Sequence, residues 1–168
     1  MLVAIATRDP VTEPAVTPAR LAADSPGMLA WRTFLTAHAT IIRALEAELE
    51  AEQGLALSDF DVLAQLNVAG GTLRMRDLAD RVLLSRSGLT RRVDRLEAIG
   101  FVERAACETD RRGSYARLTD AGRERLLTAM PVHVRGIADH FIAPLDADEL
   151  ASIGTTLAKV VPPERRPG

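Results

Sequence analysis

The sequence predicts a mainly α-helical fold with one small β-hairpin, and three features of its 168 residues point to this class. Apolar residues recur at helical spacing in several long segments. Period-two alternation is confined to residues 101–106 and 114–118, which flank a turn-rich loop. Hydrophobic residues make up 47% of the chain but aromatic residues only 4%, so Ala, Leu and Val are expected to fill the core.

The chain is predicted to begin with a disordered arm, residues 1–27, which is rich in Ala, Pro and Thr. Met28 stands where regular helical spacing begins, and the hypothesis that it is the native start of translation stays open alongside Met1. From there to about Glu52 a long amphipathic helix is predicted, with apolar residues at Leu35, Ile42, Leu45 and Leu49.

Two shorter helices and one strand are expected next. Ser58 is predicted to cap a helix that stops at Gly70 and Gly71. Residues 72–74 have the character of a short strand, and a further helix is expected from Met75 to about Val82.

Ser85 is a good N-cap for the next helix, which is predicted to run from Arg86 to Ile99 and to end at Gly100. Its inner face is predicted to carry Leu89, Val93 and Leu96, and its outer face Ser87, Thr90, Arg91, Asp94 and Ala98. The hairpin predicted after this helix has a charged tip. A helix with a basic outer face followed by such a hairpin is typical of a winged helix-turn-helix, which binds DNA.

Thr119 is predicted to cap a helix that runs to about Phe141, with a kink at Pro131. A last amphipathic helix is expected within residues 146–161, followed by a tail at 162–168. The predicted fold is therefore a winged helix-turn-helix with about six helices and a small β-hairpin wing.

Charge is distributed unevenly along the chain. The formal net charge is −2, but residues 74–117 hold eleven arginines and seven acidic residues, a balance of +4, which leaves −6 for the remainder. A basic segment in an acidic protein indicates a localised surface for the phosphates of DNA.

The N-terminal end of a recognition helix lies deepest in the major groove. Here that end carries the predicted base-contacting residues, which are Arg86, Ser87, Thr90 and Arg91. Arginine can bind guanine through two hydrogen bonds. Ser85 and Arg95 are predicted to contact phosphates. The alternative is a solvated surface helix on which Arg91 and Arg95 pair with Asp94 and Glu97.

Three motifs resemble the MarR family of bacterial transcription regulators: LRMRDLADRVLLSRSGLTRRVDRLEAIGFVER, DRRG and LTDAG. The resemblance covers about residues 28–161. It implies that Arg112 enters the minor groove, that Asp110 braces the tip of the wing and that Arg111 contacts a phosphate of double-stranded DNA.

Members of that family are mainly α-helical homodimers. By this resemblance residues 28–57 and 119–161 are expected to be dimerisation helices on either side of a winged helix-turn-helix domain at residues 58–118. Helices with one apolar stripe also fit a monomer, which stays an alternative. A two-fold dimer implies a pseudo-palindromic operator, and the chain is interpreted as a homodimeric repressor.

Many relatives release DNA when a small, often phenolic, anion enters a cleft between the dimer helices and the DNA-reading domain. The residues that match such a cleft are Trp31, Phe34, His38, Phe60, Asp61 and Arg92. Urate-responsive relatives use a Trp, an Asp and several Arg, a set that Asp61, Arg92 and Arg104 match in part. Val68 stands where another of those arginines is expected, which argues against urate.

Two other functions stay open from the sequence. Cys107 is the only cysteine and allows thiol-redox sensing, although Glu108 beside it opposes thiolate formation. A winged-helix module for protein contact is the second alternative. No metal site is predicted, since His133 and His140 lie seven residues apart and no Cys/His cluster has zinc spacing. No cofactor is predicted, and the sequence contains no known catalytic motif. With no apolar run of roughly 18 residues, the chain is predicted to be soluble and cytoplasmic.

Overall fold

The computed structural model describes residues 22–82, 84–106 and 114–163. Its helices are α1 (Pro26–Gln53), α2 (Leu57–Val68), α3 (Met75–Ala79), α4 (Arg86–Ala98), α5 (Asp120–Ile137) and α6 (Ala147–Ala158). Its strands are β1 (Thr72–Arg74), β2 (Val102–Ala106) and β3 (Ser114–Leu118), and a π-helix (Ala138–Ile142) prolongs α5. The predicted class, mainly α with a small wing, is confirmed.

Several predictions concern residues outside the described ranges. They are the arm up to residue 21, the wing residues Cys107, Glu108, Asp110, Arg111 and Arg112, and the tail from residue 164. Helix α1 begins at Pro26, two residues before the predicted start. Proline suits this position because its fixed φ fits the first turn of a helix, where its missing N–H would have no helical partner.

The chain divides after Thr40 into two units. The second unit, from Ile41 onward, contains a core formed by α2, α3, α4, α5 and the sheet, together with Leu49 of α1. Leu63 of α2, Leu89 of α4 and Leu126 of α5 are almost completely buried there. This core joins the helices that precede the wing to the wing itself.

The three strands form one antiparallel sheet in the order β1–β3–β2. Leu73 of β1 and Arg104 of β2 both lie opposite Ala116 of β3. The short strand predicted at residues 72–74 is therefore confirmed, and it attaches the hairpin to the helical core from the side of α2 and α3.

Three helix starts have capping hydrogen bonds, and those at Ser85 and Thr119 were predicted. The Ser85 hydroxyl accepts from the N–H of Gly88 at 3.1 Å, and the Thr119 hydroxyl accepts from the N–H of Gly122 at 3.0 Å. Asp146 forms a capping box with Glu149 at the start of α6. Each of these contacts satisfies an N–H group that the first turn of a helix leaves unpaired.

The prediction that Ser58 caps α2 was wrong. The helix begins at Leu57, and Ala56 occupies the cap position without a side-chain hydrogen bond. A carboxylate from α1 replaces the local cap, because Glu46 accepts a hydrogen bond from the N–H of Leu57 at 3.0 Å. Glu46 precedes Leu57 by eleven residues, and sequence patterns for helix starts consider only residues within the first turn.

Two helix predictions differ from the structure in their extent or continuity. Helix α3 ends at Ala79, earlier than the predicted Val82, and a turn follows in which the N–H groups of Arg81 and Val82 both bond the carbonyl oxygen of Leu78. Val82 is buried nonetheless. Helix α5 continues through Pro131, the position of the predicted kink, as far as Ile137.

Candidate nucleic-acid interface

The outer face of α4 is polar and exposed, as its sequence predicts. Ser87, Thr90 and Arg91 are exposed, whereas Leu89, Val93 and Leu96 are at most 1% exposed. The Thr90 hydroxyl donates to the backbone oxygen of Arg86 at 3.1 Å. Its proton is therefore used within the helix, and the oxygen stays available as an acceptor.

Arg86 and Arg91 are the exposed cations of α4 that have no protein partner among the residues that the structure describes. Within residues 22–82, 84–106 and 114–163, neither guanidinium takes part in a hydrogen bond or an ion pair. Each retains five N–H donors for an external acceptor. The two side chains thus have the properties that base or phosphate contact requires.

The acidic residues of α4 are paired with the wing. Arg104 of β2 places its Nη2 atom 2.5 Å from Oδ1 of Asp94 and its Nε atom 3.3 Å from Oε2 of Glu97. The backbone N–H of Arg104 also donates to Glu97 at 3.2 Å. The alternative from the sequence was that Asp94 and Glu97 pair with Arg91 and Arg95 on the surface of α4. Both acidic residues pair with Arg104 instead. These contacts connect β2 to α4 and reduce the negative charge beside the exposed arginines.

Arg92 and Arg95 lie on the flank of α4 that faces α2. Arg92 places Nη1 3.3 Å from Oδ1 of Asp59, and Arg95 places Nε 3.8 Å from Oδ2 of the same carboxylate. Within the part of the chain that the structure describes, Oδ1 has no partner with hydrogen-bond geometry, so the contact is mainly an ion pair. Arg95 is 60% exposed and remains able to bind a phosphate, as predicted for it.

Asp59 is a buried, ion-paired residue beside this interface that the sequence interpretation missed. It is 1% exposed, and among the described residues it is the one charged side chain in the buried class. Burial raises the pKa of its carboxyl group, an effect that Arg92 and Arg95 oppose. A usable signal was present in the sequence. Val62, Leu63 and Leu66 lie three, four and seven residues further on, so helical spacing places Asp59 on the inward face.

The candidate effector residues have different surroundings within their own units. Trp31, Phe34 and His38 follow one another along α1, with ring centroids 6.1 Å and 6.3 Å apart, and all three are exposed. Phe60 is buried in the core, with its ring centroid 4.3 Å from that of His133. The side chain of Arg92 is engaged by Asp59, as described above.

His133 packs against the ring of Phe60 and interacts electrostatically with Asp61. Asp61 accepts a hydrogen bond from Gln65 at 3.3 Å and is half-buried. Burial lowers the pKa of His133, and the charge of Asp61 opposes that effect. Nδ1 of His133 is buried without a hydrogen-bond partner in the described structure. The imidazole is therefore held mainly by packing against Phe60.

The described ranges contain no group of three or more His, Cys, Asp or Glu side chains arranged to bind a metal ion. They also contain no helix that is long and apolar enough to cross a membrane.

Comparison with known proteins supports the interpretation of this surface. The family model described as MarR family matches residues 53–113, from the end of α1 to the wing. The regulator YkoM of Bacillus subtilis is 35% identical over 101 residues, a match that covers 59% of this chain and 65% of YkoM. The match thus spans slightly less than two thirds of that relative.

Two solved structures resemble almost the whole described fold. AbsC, a MarR family transcriptional regulator from Streptomyces coelicolor, is 34% identical with a TM-score of 0.73, covering 80% of this chain and 90% of AbsC. Sco3205, another MarR family regulator from Streptomyces coelicolor, was solved in complex with DNA. It is 31% identical with a TM-score of 0.74, covering 84% of this chain and 95% of Sco3205. The winged fold, the exposed basic face of α4 and these similarities together establish that the chain belongs to the MarR family of transcriptional regulators, which are not enzymes.

Proposed function

We propose that the protein is a homodimeric repressor that binds a specific operator in double-stranded DNA and is released by a small phenolic or anionic ligand. The observation that carries the DNA-binding part is the outer face of α4. Arg86 and Arg91 have no protein partner in the described ranges, and the hydroxyls of Ser87 and Thr90 lie between them in sequence. These side chains are assigned to base edges.

The neighbouring residues are assigned to the DNA backbone. The N-terminus of α4, capped by Ser85, presents backbone N–H groups that suit a phosphate. Arg95 is exposed enough to reach a second phosphate. By the family resemblance, Arg111 and Arg112 contribute backbone and minor-groove contacts and Asp110 braces the wing. The DNA complex of Sco3205, at 31% identity, supports this assignment.

Homodimerisation is proposed from the surface of α6. None of the residues of α6 is buried, although Leu150, Ile153 and Leu157 form an apolar stripe at helical spacing. An amphipathic helix normally buries such a stripe against another surface. A second copy of the chain supplies that surface in the proposed dimer, and its two-fold symmetry requires a pseudo-palindromic operator.

Replacing Leu157 by glutamate is expected to convert the dimer into a monomer. A carboxylate on the apolar stripe would lose its hydration when the two copies associate, and such burial of an unpaired charge is strongly unfavourable. Molar mass should be measured by light scattering after gel filtration. Thr155→Glu is the matched control, since Thr155 is exposed on the opposite side of α6 and should leave the molar mass unchanged.

The effector is proposed to contact the exposed aromatic row of Trp31, Phe34 and His38. Aromatic rings suit a planar phenol, and a histidine can donate a hydrogen bond to an anion. Phe60, Asp61 and Arg92 belong to the same proposal by the family resemblance. In the described structure Phe60 lies in the core and Arg92 pairs with Asp59. A ligand that uses Arg92 would therefore have to compete with that carboxylate.

The proposal is tested by fluorescence anisotropy on the DNA upstream of the gene and on a scrambled duplex of equal length. We expect tighter binding to the upstream duplex, with affinity falling along a straight log–log line against salt concentration. The slope should be about −0.9 for each phosphate that the protein neutralises. Equal binding to both duplexes would contradict a specific operator at this site and favour the protein-contact alternative.

A further inference from the structure

We infer that Asp59 is a positioning residue of the DNA interface, which fixes the seating of α4 on α2 through Arg92 and Arg95. The effect of Asp59 on DNA recognition rests on the proposed DNA-binding function. The structural basis of the positioning role is independent of DNA, because the three side chains connect two helices within one core.

The position of these arginines on α4 makes the contact directional. Leu89, Val93 and Leu96 form the buried stripe of the helix. Successive residues are turned by about 100°, so Arg92 and Arg95 follow one another along one flank of that stripe. Apolar packing is not directional, and an apolar stripe alone tolerates a small rotation of the helix about its axis. An ion pair on one flank opposes such a rotation.

Burying the ionised Asp59 carboxylate is energetically unfavourable, which argues that its role is to fix the orientation of α4 and not to stabilise the fold. A carboxyl group whose pKa is raised on folding binds protons more tightly in the folded chain, so its ionised form lowers stability at neutral pH. The two arginines do not fully compensate for the burial of Asp59. Buried ion pairs are weak sources of stability, and their best-supported role is to specify one arrangement over others.

The consequence for DNA lies on the opposite side of α4. The residues assigned to base edges, among them Thr90 and Arg91, are carried by the same rigid helix as Arg92. A rotation that follows loss of the Asp59 contact would displace their tips relative to the base edges. Phosphate contacts, made by long side chains to a uniform backbone, tolerate such a displacement better.

The test uses the full chain with Asp59→Asn, Arg92→Gln and the double variant. The matched control is Glu52→Gln, which removes the same charge from an ion pair between α1 and Arg135 of α5. In the absence of DNA, hydrogen exchange of the α4 backbone amides is expected to be faster in both single variants. The double variant should be no faster than the singles, and the control should match the wild type.

With DNA, the ratio of affinities for the upstream and scrambled duplexes is expected to fall roughly tenfold, the equivalent of about one lost base contact. The urea midpoint of Asp59→Asn should change little, because this substitution also removes the cost of burying a charge. Equal weakening on both duplexes together with a lower urea midpoint would show a merely structural role and overturn the inference. Unchanged exchange in α4 would also overturn it. If the wild type does not discriminate between the duplexes, the proposed function fails while the exchange experiment still decides the role of Asp59.

Discussion

Replacing Gly122 by alanine is expected to lower the free energy of unfolding by about 3 kcal/mol, the upper end of the usual range for overpacking. An added Cβ would overlap the carbonyl oxygen of Phe101 and lie 2.9 Å from its carbonyl carbon. It would also lie 3.0 Å from a methyl carbon of Leu118. The principal obstacle is backbone, which cannot rotate away as the end of a flexible side chain can.

Hydrogen bonds hold the two segments at this short distance. The Thr119 hydroxyl donates to the carbonyl oxygen of Gly100 at 2.7 Å. The backbone N–H of Thr119 donates to the carbonyl oxygen of Phe101 at 3.1 Å. The same hydroxyl accepts from the N–H of Gly122. Moving α5 away to admit a methyl group would break contacts that join α5 to the start of the wing.

Urea denaturation followed by circular dichroism would measure this effect. Ala121→Gly is the matched control, because Ala121 is the neighbouring, exposed residue of α5 and the substitution also changes a single methyl group. That control is expected to cost at most about 1 kcal/mol, the difference in helix propensity. A Gly122→Ala midpoint equal to that of the control would mean that α5 does not approach Phe101 as closely as described.

Gly122 also illustrates what the sequence could and could not predict. It belongs to the LTDAG motif, which carried the family resemblance, and Thr119 in that motif was correctly predicted as a helix cap. Local hydrogen bonds make caps visible in sequence, since both partners lie within three residues. Glycine is required at position 122 because the carbonyl oxygen of Phe101 lies where a Cβ atom would be. Phe101 is distant in sequence, so no local sequence pattern indicates this contact.

The same distinction separates the predicted and the missed parts of the interface. The exposed and buried faces of α4 followed from helical periodicity and were predicted correctly. The partners of its charged residues did not follow, because Asp94 and Glu97 pair with Arg104 and Arg92 pairs with Asp59. In the sequence, each charged side chain has several residues of opposite charge as candidate partners. Only the tertiary structure determines which of them lies within contact distance.

The pairing pattern leads to the largest expected effect on DNA binding, that of the double variant Arg86→Ala/Arg91→Ala. Because neither arginine has a protein partner in the described structure, its removal should leave the fold intact. Each bidentate contact to a base contributes about 1–3 kcal/mol of discrimination. For two such contacts the loss is about 2–6 kcal/mol, so the double variant is expected to lose between roughly 30-fold and roughly 10,000-fold in affinity for the operator relative to a scrambled duplex.

A charge-matched control separates base reading from general attraction. Arg43→Ala/Arg135→Ala removes the same charge from α1 and α5, outside the proposed interface, and should change the affinity for both duplexes equally and only slightly. If Arg86 and Arg91 contact phosphates instead of bases, both duplexes will weaken together and the salt slope will become shallower by about 0.9 for each lost contact. If the double variant behaves like the control, α4 does not enter the major groove through this face. That result would favour the alternative in which the winged helix contacts another protein. Selectivity lost at a nearly constant salt slope is the result that base recognition by these two arginines requires.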